Sequence, residues 1–336
     1  VTADTIPTPR ESLIRAFLVR HCWGEAERRP LAGDASFRHY DRLRRGAETA
    51  VLMDAPPPQE DVRPFVALAR HIESLGLSAP RLLGVDESNG LLLLEDLGDR
   101  TYTRCLAAGE DETALYALAT DVLAEIAARP EAIPPGLPRY DDERLLTEAA
   151  LLTDWYYPAV TGSPLPAPQR EAYLAIWRRL FPIARLAPET LVLRDFHIDN
   201  LMRLERPGLA GCGLLDFQDA VAGPATYDLM SLLEDARRDI APLLVERMKQ
   251  RWLARVGGLD RISFEASWAV MAAQRHAKVI GIFTRLARRD GKPLYLGHIP
   301  RVWRLLNASL THPVLSELAE WFDRVIPADR RGVPAP

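Results

Sequence analysis

A chain of 336 residues exceeds the usual size of one domain, so two lobes or domains are expected, and 48% hydrophobic residues supply substantial cores. No apolar run approaches the ~18 residues of a membrane span, and a net charge of −4 gives no electrostatic reason to expect nucleic acid as a partner. Val1 to Arg10 has no apolar signal core, and Cys22, Cys105 and Cys212 lie scattered without metal spacing. A cytoplasmic protein with free thiols and no membrane partner is the expectation.

Arg10 to Cys22 reads as an amphipathic helix with Leu13, Ile14, Phe17 and Leu18 on one face. Leu31 to Tyr40 places turn residues between two extended segments, a hairpin pattern, and Glu48 to Asp54 is a third strand stopped by Pro56-Pro57-Pro58. Val62 to Leu75 is helical and closed by Gly76, and Arg81–Val85 with Gly90–Leu94 make two more strands. Glu95 to Asp99 reads as a hinge. Beyond it the predicted helices are Asp111–Ala128, Asp141–Trp155, Pro168–Leu186, Thr226–Asp235, Ala241–Val256 and Phe264–Arg289.

Between the third and fourth of these helices lies the segment richest in chemistry. Leu193-Arg194-Asp195-Phe196-His197-Ile198-Asp199-Asn200 is followed by Leu214-Leu215-Asp216-Phe217. Apolar runs that each end at an acidic residue suit a small sheet delivering polar side chains to a cleft. Phosphoryl transfer from Mg-ATP needs this set: a carboxylate that takes the proton of the attacking hydroxyl, and an amide oxygen plus a second carboxylate for Mg²⁺. Asp195 is the expected base, and Asn200 and Asp216 the expected Mg²⁺ ligands. The Asp-x-x-x-x-Asn spacing equals that of the protein-kinase catalytic loop.

The bases are distributed unevenly. The first lysine is Lys249, followed only by Lys278 and Lys292. A protein kinase pairs a third-strand Lys with the ATP phosphates and a helix Glu. Here that strand position falls near Met53, and Asp54 beside it is expected to repel phosphate. Arg38 is the expected substitute, with Arg42 second.

These residues resemble the aminoglycoside phosphotransferase / choline kinase superfamily, whose signature is His-Gly-Asp-x-His-x-x-Asn followed by Asp-Phe/Trp. Asp195, His197, Asn200 and Asp216 match it, while Leu193 and Arg194 replace its first His and Gly. Gly33-Asp34-Ala35-Ser36-Phe37-Arg38, Met53 to Pro57, Leu94 to Asp99 and Gln274-Arg275-His276 with Gly281-Ile282-Phe283 look most like the bacterial cell-wall-recycling kinases of N-acetylmuramate and N-acetylglucosamine. The resemblance implies an α+β, bilobal protein-kinase-like fold with a small antiparallel β lobe (1–94), a hinge (95–99) and a larger, mostly helical lobe (100–336).

It also implies a monomeric Mg-ATP-dependent kinase acting on the anomeric hydroxyl of a small-molecule amino sugar. Other acceptors (an aminoglycoside, choline or ethanolamine, homoserine) and a non-catalytic pseudokinase are the alternatives. Gly33, Asp34, Ala35 and Ser36 would cover the phosphates, and backbone groups of Glu95, Asp96 and Leu97 would hold adenine. Gln274, Arg275, His276, Lys278, Tyr156 and Tyr157 are acceptor-pocket candidates. His197 is expected to brace the neighbouring acids or touch substrate, Asp199 to touch metal or substrate or stand as a solvated turn carboxylate, and Asp228 to cap the helix that begins near Tyr227.

Overall fold

The computed structural model describes residues 8–31 and 37–335. The first helix, α1 (Pro9–Arg20), starts where the Thr8 hydroxyl accepts the Glu11 N–H and Pro9 presets the first turn. It is followed by β1 (Glu27–Pro30), β2 (His39–Arg45), β3 (Glu48–Asp54), α2 (Arg63–Ser74), β4 (Leu82–Asp86), β5 (Leu91–Glu95) and a short α3 (Tyr102–Ala107). Helices α4 (Glu112–Ala128), α5 (Asp142–Leu151), α6 (Tyr157–Thr161) and α7 (Ala167–Ala184) precede β6 (Glu189–Val192), β7 (Leu201–Arg203), β8 (Cys212–Leu214) and β9 (Val221–Pro224). The chain continues through α8 (Thr226–Leu233), α9 (Pro242–Val256), α10 (Arg261–Asp290), α11 (Ile299–Ser309) and α12 (Ser316–Val325).

Two compact units result. The first holds the chain up to Glu110 together with Asp199–Asp219; the second holds Asp111–Ile198 and everything from Ala220 onward. Contacts thus assign the β7–β8 ribbon to the N-terminal unit, although it lies about a hundred residues beyond the boundary drawn from sequence.

In the first unit the five strands form one antiparallel sheet in the order β1-β2-β3-β5-β4. Alternation sends Leu43, Leu52, Leu91 and Leu93 to one face, where they pack with Ile14, Phe17 and Leu18 of α1. Helix α2 buries Phe65, Val66, Leu68, Ala69 and Ile72, and Phe65 stacks on Phe217 with ring centroids 4.9 Å apart. The β7–β8 pair is tied to the loop after α2 by the Leu214 N–H, which donates to the Ser78 carbonyl at 2.7 Å.

The second unit is built around α10. This 30-residue helix is buried on most of its circumference and packs against α5, α7, α8 and α11. Asp260 caps its start through the Ser263 N–H, and Gly291, at φ +66°, ends it. The predicted helix Asp141–Trp155 is longer than read: α5 runs into a π-helical turn at Leu152–Tyr156 and then α6. Gly281 of α10 lies against that junction, where an added Cβ would stand 2.3 Å from the Leu151 carbonyl carbon. Helices α11 and α12 went unrecognised in the sequence, although α12 buries Leu318, Trp321 and Phe322 along one face.

Candidate active site

The first unit supplies an apolar cavity with an acidic end. Strands β7 and β8 pair Leu201 with Leu214, so Asn200 and Asp216 flank the same end of a two-stranded ribbon. Asn200 Nδ2 lies 3.4 Å from Asp216 Oδ2, and the Leu215 N–H donates to the Asn200 carbonyl at 3.0 Å. Asp216 has φ +57°, a left-handed backbone that Asp tolerates better than most residues. Its other oxygen accepts from Gln218 Nε2 at 2.8 Å.

Asn200 and Asp216 line a cavity of about 350 Å³ whose apolar walls include Val51, Met53, Leu94, Met202 and Leu215 and whose rim includes Glu95, Asp96, Leu97 and Gly98. The side chains of the hinge segment are already engaged. Glu95 accepts from Arg81 and Arg206, and Asp96 from Arg42 and the Gly98 N–H. An apolar slot beside a backbone segment suits a flat heteroaromatic base, bound by walls and main chain rather than by those carboxylates.

Asp54, next to Met53 on β3, pairs with Arg10 of α1, Nε–Oδ1 3.0 Å, so a cation offsets the charge expected from sequence to repel phosphate. Residues Gly33, Asp34, Ala35 and Ser36 lie outside the described residues. Asp199 accepts the Thr103 hydroxyl of α3, a bracing contact.

The second unit carries Asp195 on a turn held from two directions. The Asp195 N–H donates to the Leu193 carbonyl at 2.9 Å. The buried Asp228 carboxylate accepts the N–H groups of Leu193 and Arg194, at 2.5 and 2.9 Å. Asp228 therefore does not cap its own helix: α8 begins at Thr226, and its N-cap residue, Ala225, offers no side-chain bond. Burial pushes the Asp228 carboxyl up to about 7, against the two backbone donors.

Arg194 has φ +72°, where the resembling signature has Gly. A left-handed L-residue costs roughly 1–2 kcal/mol, and the side chain supplies an offset: its guanidinium pairs with Glu148 of α5. Glu148 also accepts from Tyr140 Oη, from Lys278 Nζ at 2.9 Å and from Gln274 Nε2 at 3.3 Å. Burial opposes the ionised form, yet the charges of Lys278 and Arg194 bring the Glu148 carboxyl down to about 2. Tyr140, Glu148 and Arg194, with Arg144 and Thr147, line a cavity of about 470 Å³ in this unit.

The other acceptor candidates diverge along α10. Gln274 and Lys278, four residues apart, converge on Glu148. His276 is fully buried and bonds Glu234 at 2.7 Å, and Arg275 is buried within electrostatic reach of Asp228. Tyr156 is buried, with its hydroxyl on the carbonyls of Arg330 and Gly332; Tyr157 is half-buried, and His197 is buried. Tyr140 and Glu148 were not recognised from sequence. Glu148 and Lys278 are 130 residues apart, so only folding brings them together.

For Mg²⁺, the donor set fits a hard cation carried on a nucleotide. Among the described residues no three His, Cys, Asp or Glu side chains converge on one point. An amide oxygen and one carboxylate, completed by phosphate and water, suit Mg²⁺ better than a dedicated all-protein cage would.

A five-stranded antiparallel sheet beside an apolar cavity of about 350 Å³, and a helical unit presenting a carboxylate on a braced turn, define a phosphotransferase of the protein-kinase-like fold. The chain belongs to the phosphotransferase enzyme family, whose sequence profile matches residues 27–264. It is 37% identical to the N-acetylmuramate/N-acetylglucosamine kinase of Caulobacter vibrioides, over 97% of this chain and 99% of that one. To the Pseudomonas aeruginosa protein of the same name it is 39% identical, over 92% and 93%. Among solved structures, choline kinase LicA from Streptococcus pneumoniae superposes with a TM-score of 0.63 at 10% identity, covering 91% of this chain and 100% of that one. The GDP complex of aminoglycoside 2'-phosphotransferase-IIIa gives 0.61 at 16%, covering 90% and 99%. These two likenesses establish the fold. No helix of the described residues is long and apolar enough to cross a membrane.

Proposed function

We propose that this enzyme is a Mg-ATP-dependent kinase that phosphorylates the anomeric hydroxyl of N-acetylmuramate and N-acetylglucosamine, in the cytoplasm, during reuse of peptidoglycan sugars. Four relatives at 36–39% identity carry that name, and two of them align over more than nine-tenths of this chain. The observation that carries the chemistry is the Asn200–Asp216 pair at the end of an apolar cavity whose rim is Glu95–Leu97.

In this reading the base stacks against Val51, Met202 and Leu215, while the main chain of Glu95–Leu97 reads its edge. Asn200 and Asp216 would hold Mg²⁺, which would supply positive charge to offset that of the phosphates. Asp195 accepts a hydrogen bond from the sugar hydroxyl and orients its oxygen in line with the γ-phosphorus. As the new O–P bond forms and the bond to the β–γ bridging oxygen breaks, ADP leaves with the charge and the hydroxyl proton passes to Asp195. The carboxylate is effective because Asp228 and the Arg194–Glu148 pair fix its turn before substrate arrives.

Phosphorus NMR of the products of both sugars with Mg-ATP tests the proposal. An acid-labile glycosyl 1-phosphate is expected, and methyl glycosides, which lack the anomeric hydroxyl, should not react. A 6-phosphate, or no turnover of either sugar, would refute it.

A further inference from the structure

The nucleotide side of this enzyme lacks a part that its fold ordinarily uses. No lysine occurs before Lys249, so the first unit, which ends its two segments at Glu110 and Asp219, contains none. Met53 on β3 faces the cavity from about the position where a kinase carries its phosphate-binding Lys. A triphosphate with one Mg²⁺ keeps net negative charge, and Met53 offers it no donor.

We propose that Arg38, oriented by Glu60, is the phosphate-gripping cation, and that the Arg38–Glu60 pair replaces the strand-Lys–helix-Glu pair of other kinases. Arg38 stands one residue before β2, whose His39 pairs with Asp54 and whose Tyr40 pairs with Met53. The two-residue period of an extended chain puts Arg38 on the same side as Tyr40 and Arg42, both of which line the cavity. The Arg38 guanidinium lies near two carboxylates, of which Asp216 lines the cavity: Nε is 3.3 Å from Glu60 Oε2, and Nη1 is 3.9 Å from Asp216 Oδ1. The side chain is only 15% exposed, so the cation is held in place rather than waving in solvent.

Glu60 lies in the segment just before α2 and also accepts the Phe37 N–H at 3.3 Å, so it fixes the backbone next to Arg38 as well as the guanidinium. Arg42 is committed elsewhere: it binds Asp96, Asp99 and the Gly98 carbonyl, a hinge brace. That division leaves Arg38 as the cation beside the metal-ligand end. An Arg fork can take two phosphate oxygens at once, which a Lys point charge cannot.

This inference rests on the proposed nucleotide site and not on the acceptor, so its test omits sugar. Calorimetry on the full chain with Mg²⁺ compares adenosine, ADP and a non-hydrolysable ATP analogue in wild type, Arg38→Ala, Arg38→Lys and Glu60→Gln. Arg38→Ala should weaken both phosphate-bearing ligands about 10- to 100-fold, the size of a hydrogen bond to a charged group, and leave adenosine unchanged. Arg38→Lys should recover part of that loss, and Glu60→Gln should show a smaller loss with the same ligand pattern. Equal losses for adenosine and the ATP analogue would mean that Arg38 only braces the fold, and unchanged affinities would remove it from the site. If Arg38→Ala fails to fold, Arg38→Lys and Glu60→Gln carry the same comparison. Nucleotide binding with this pattern but no turnover of either sugar would refute the acceptor assignment while upholding Arg38.

Discussion

The carboxylate of Asp228 accepts the backbone N–H of Leu193 at 2.5 Å, although the two residues are 35 positions apart. With the second bond, to the Arg194 N–H, it fixes the two residues that precede Asp195. A buried acid that serves backbone donors in this way carries a cost in its ionised form. Its carboxyl is raised to about 7, from an ordinary 3.8, by burial.

The folded state therefore holds this proton more tightly than the unfolded chain, so the stability contribution of Asp228 falls as pH rises from about 4 to 7. Asp228→Asn should remove that dependence. Denaturant unfolding at pH 5 and pH 8 should show the variant gaining on wild type at the higher pH. Its turnover should fall at least about tenfold, because an amide cannot serve both N–H donors as a carboxylate does. A pH-independent stability difference would contradict the assignment.

Glu148 has the opposite sign. Its carboxyl is lowered to about 2 from 4.5, so it contributes stability that is fully present above about 4.5 and is lost as pH falls toward 2. Glu148→Gln leaves Arg194 and Lys278 without their shared anion and should cost about 3 kcal/mol at pH 7. The gap between variant and wild type should narrow in unfolding curves taken at pH 3, and a constant gap would argue that Glu148 acts through packing alone.

Asp195→Asn should retain the wild-type melting temperature and lose about 10²–10⁴-fold in kcat, the usual worth of a positioned general base. Asp216→Asn should shift the Mg²⁺ dependence of the rate to higher concentration as well as lowering kcat. Steady-state kinetics across a magnesium titration separates the two. A folded Asp195→Asn enzyme with wild-type turnover would sink the mechanism.

Gly281→Ala tests the junction between α10 and the end of α5. Alanine favours a helix interior by roughly 1 kcal/mol over glycine. The added methyl, however, would stand 2.3 Å from the Leu151 carbonyl carbon and 2.5 Å from its oxygen, backbone atoms that cannot rotate away. Overpacking should prevail, with a net loss of about 1–3 kcal/mol read as a lowered Tm. A raised Tm would show that the π-helical turn absorbs the methyl.

The order of elements in the N-terminal unit was legible because each signal is local. Thr8 and Pro9 start α1, short apolar runs mark β3 and β5, and Gly76 follows the end of α2. The candidates Asp195, Asn200 and Asp216 were legible for the same reason: short apolar runs, each close to an acid or amide, fall within 22 residues. The acceptor candidates on α10 were harder to read, because helical spacing says which residues share a face but not what that face meets. Gln274 and Lys278 meet Glu148, whereas His276 meets Glu234 in the interior. The sequence alone determined the order of elements in the N-terminal unit, the missing lysine and the candidate catalytic segment, all of which depend on neighbours along the chain. Tertiary structure alone decided that Asp228 braces a distant turn rather than capping α8, that Arg10 neutralises Asp54, and that Arg42 serves the hinge while Arg38 faces Glu60. Hydrogen bonds and ion pairs act over about 3–4 Å, and only packing sets which distant side chains come that close.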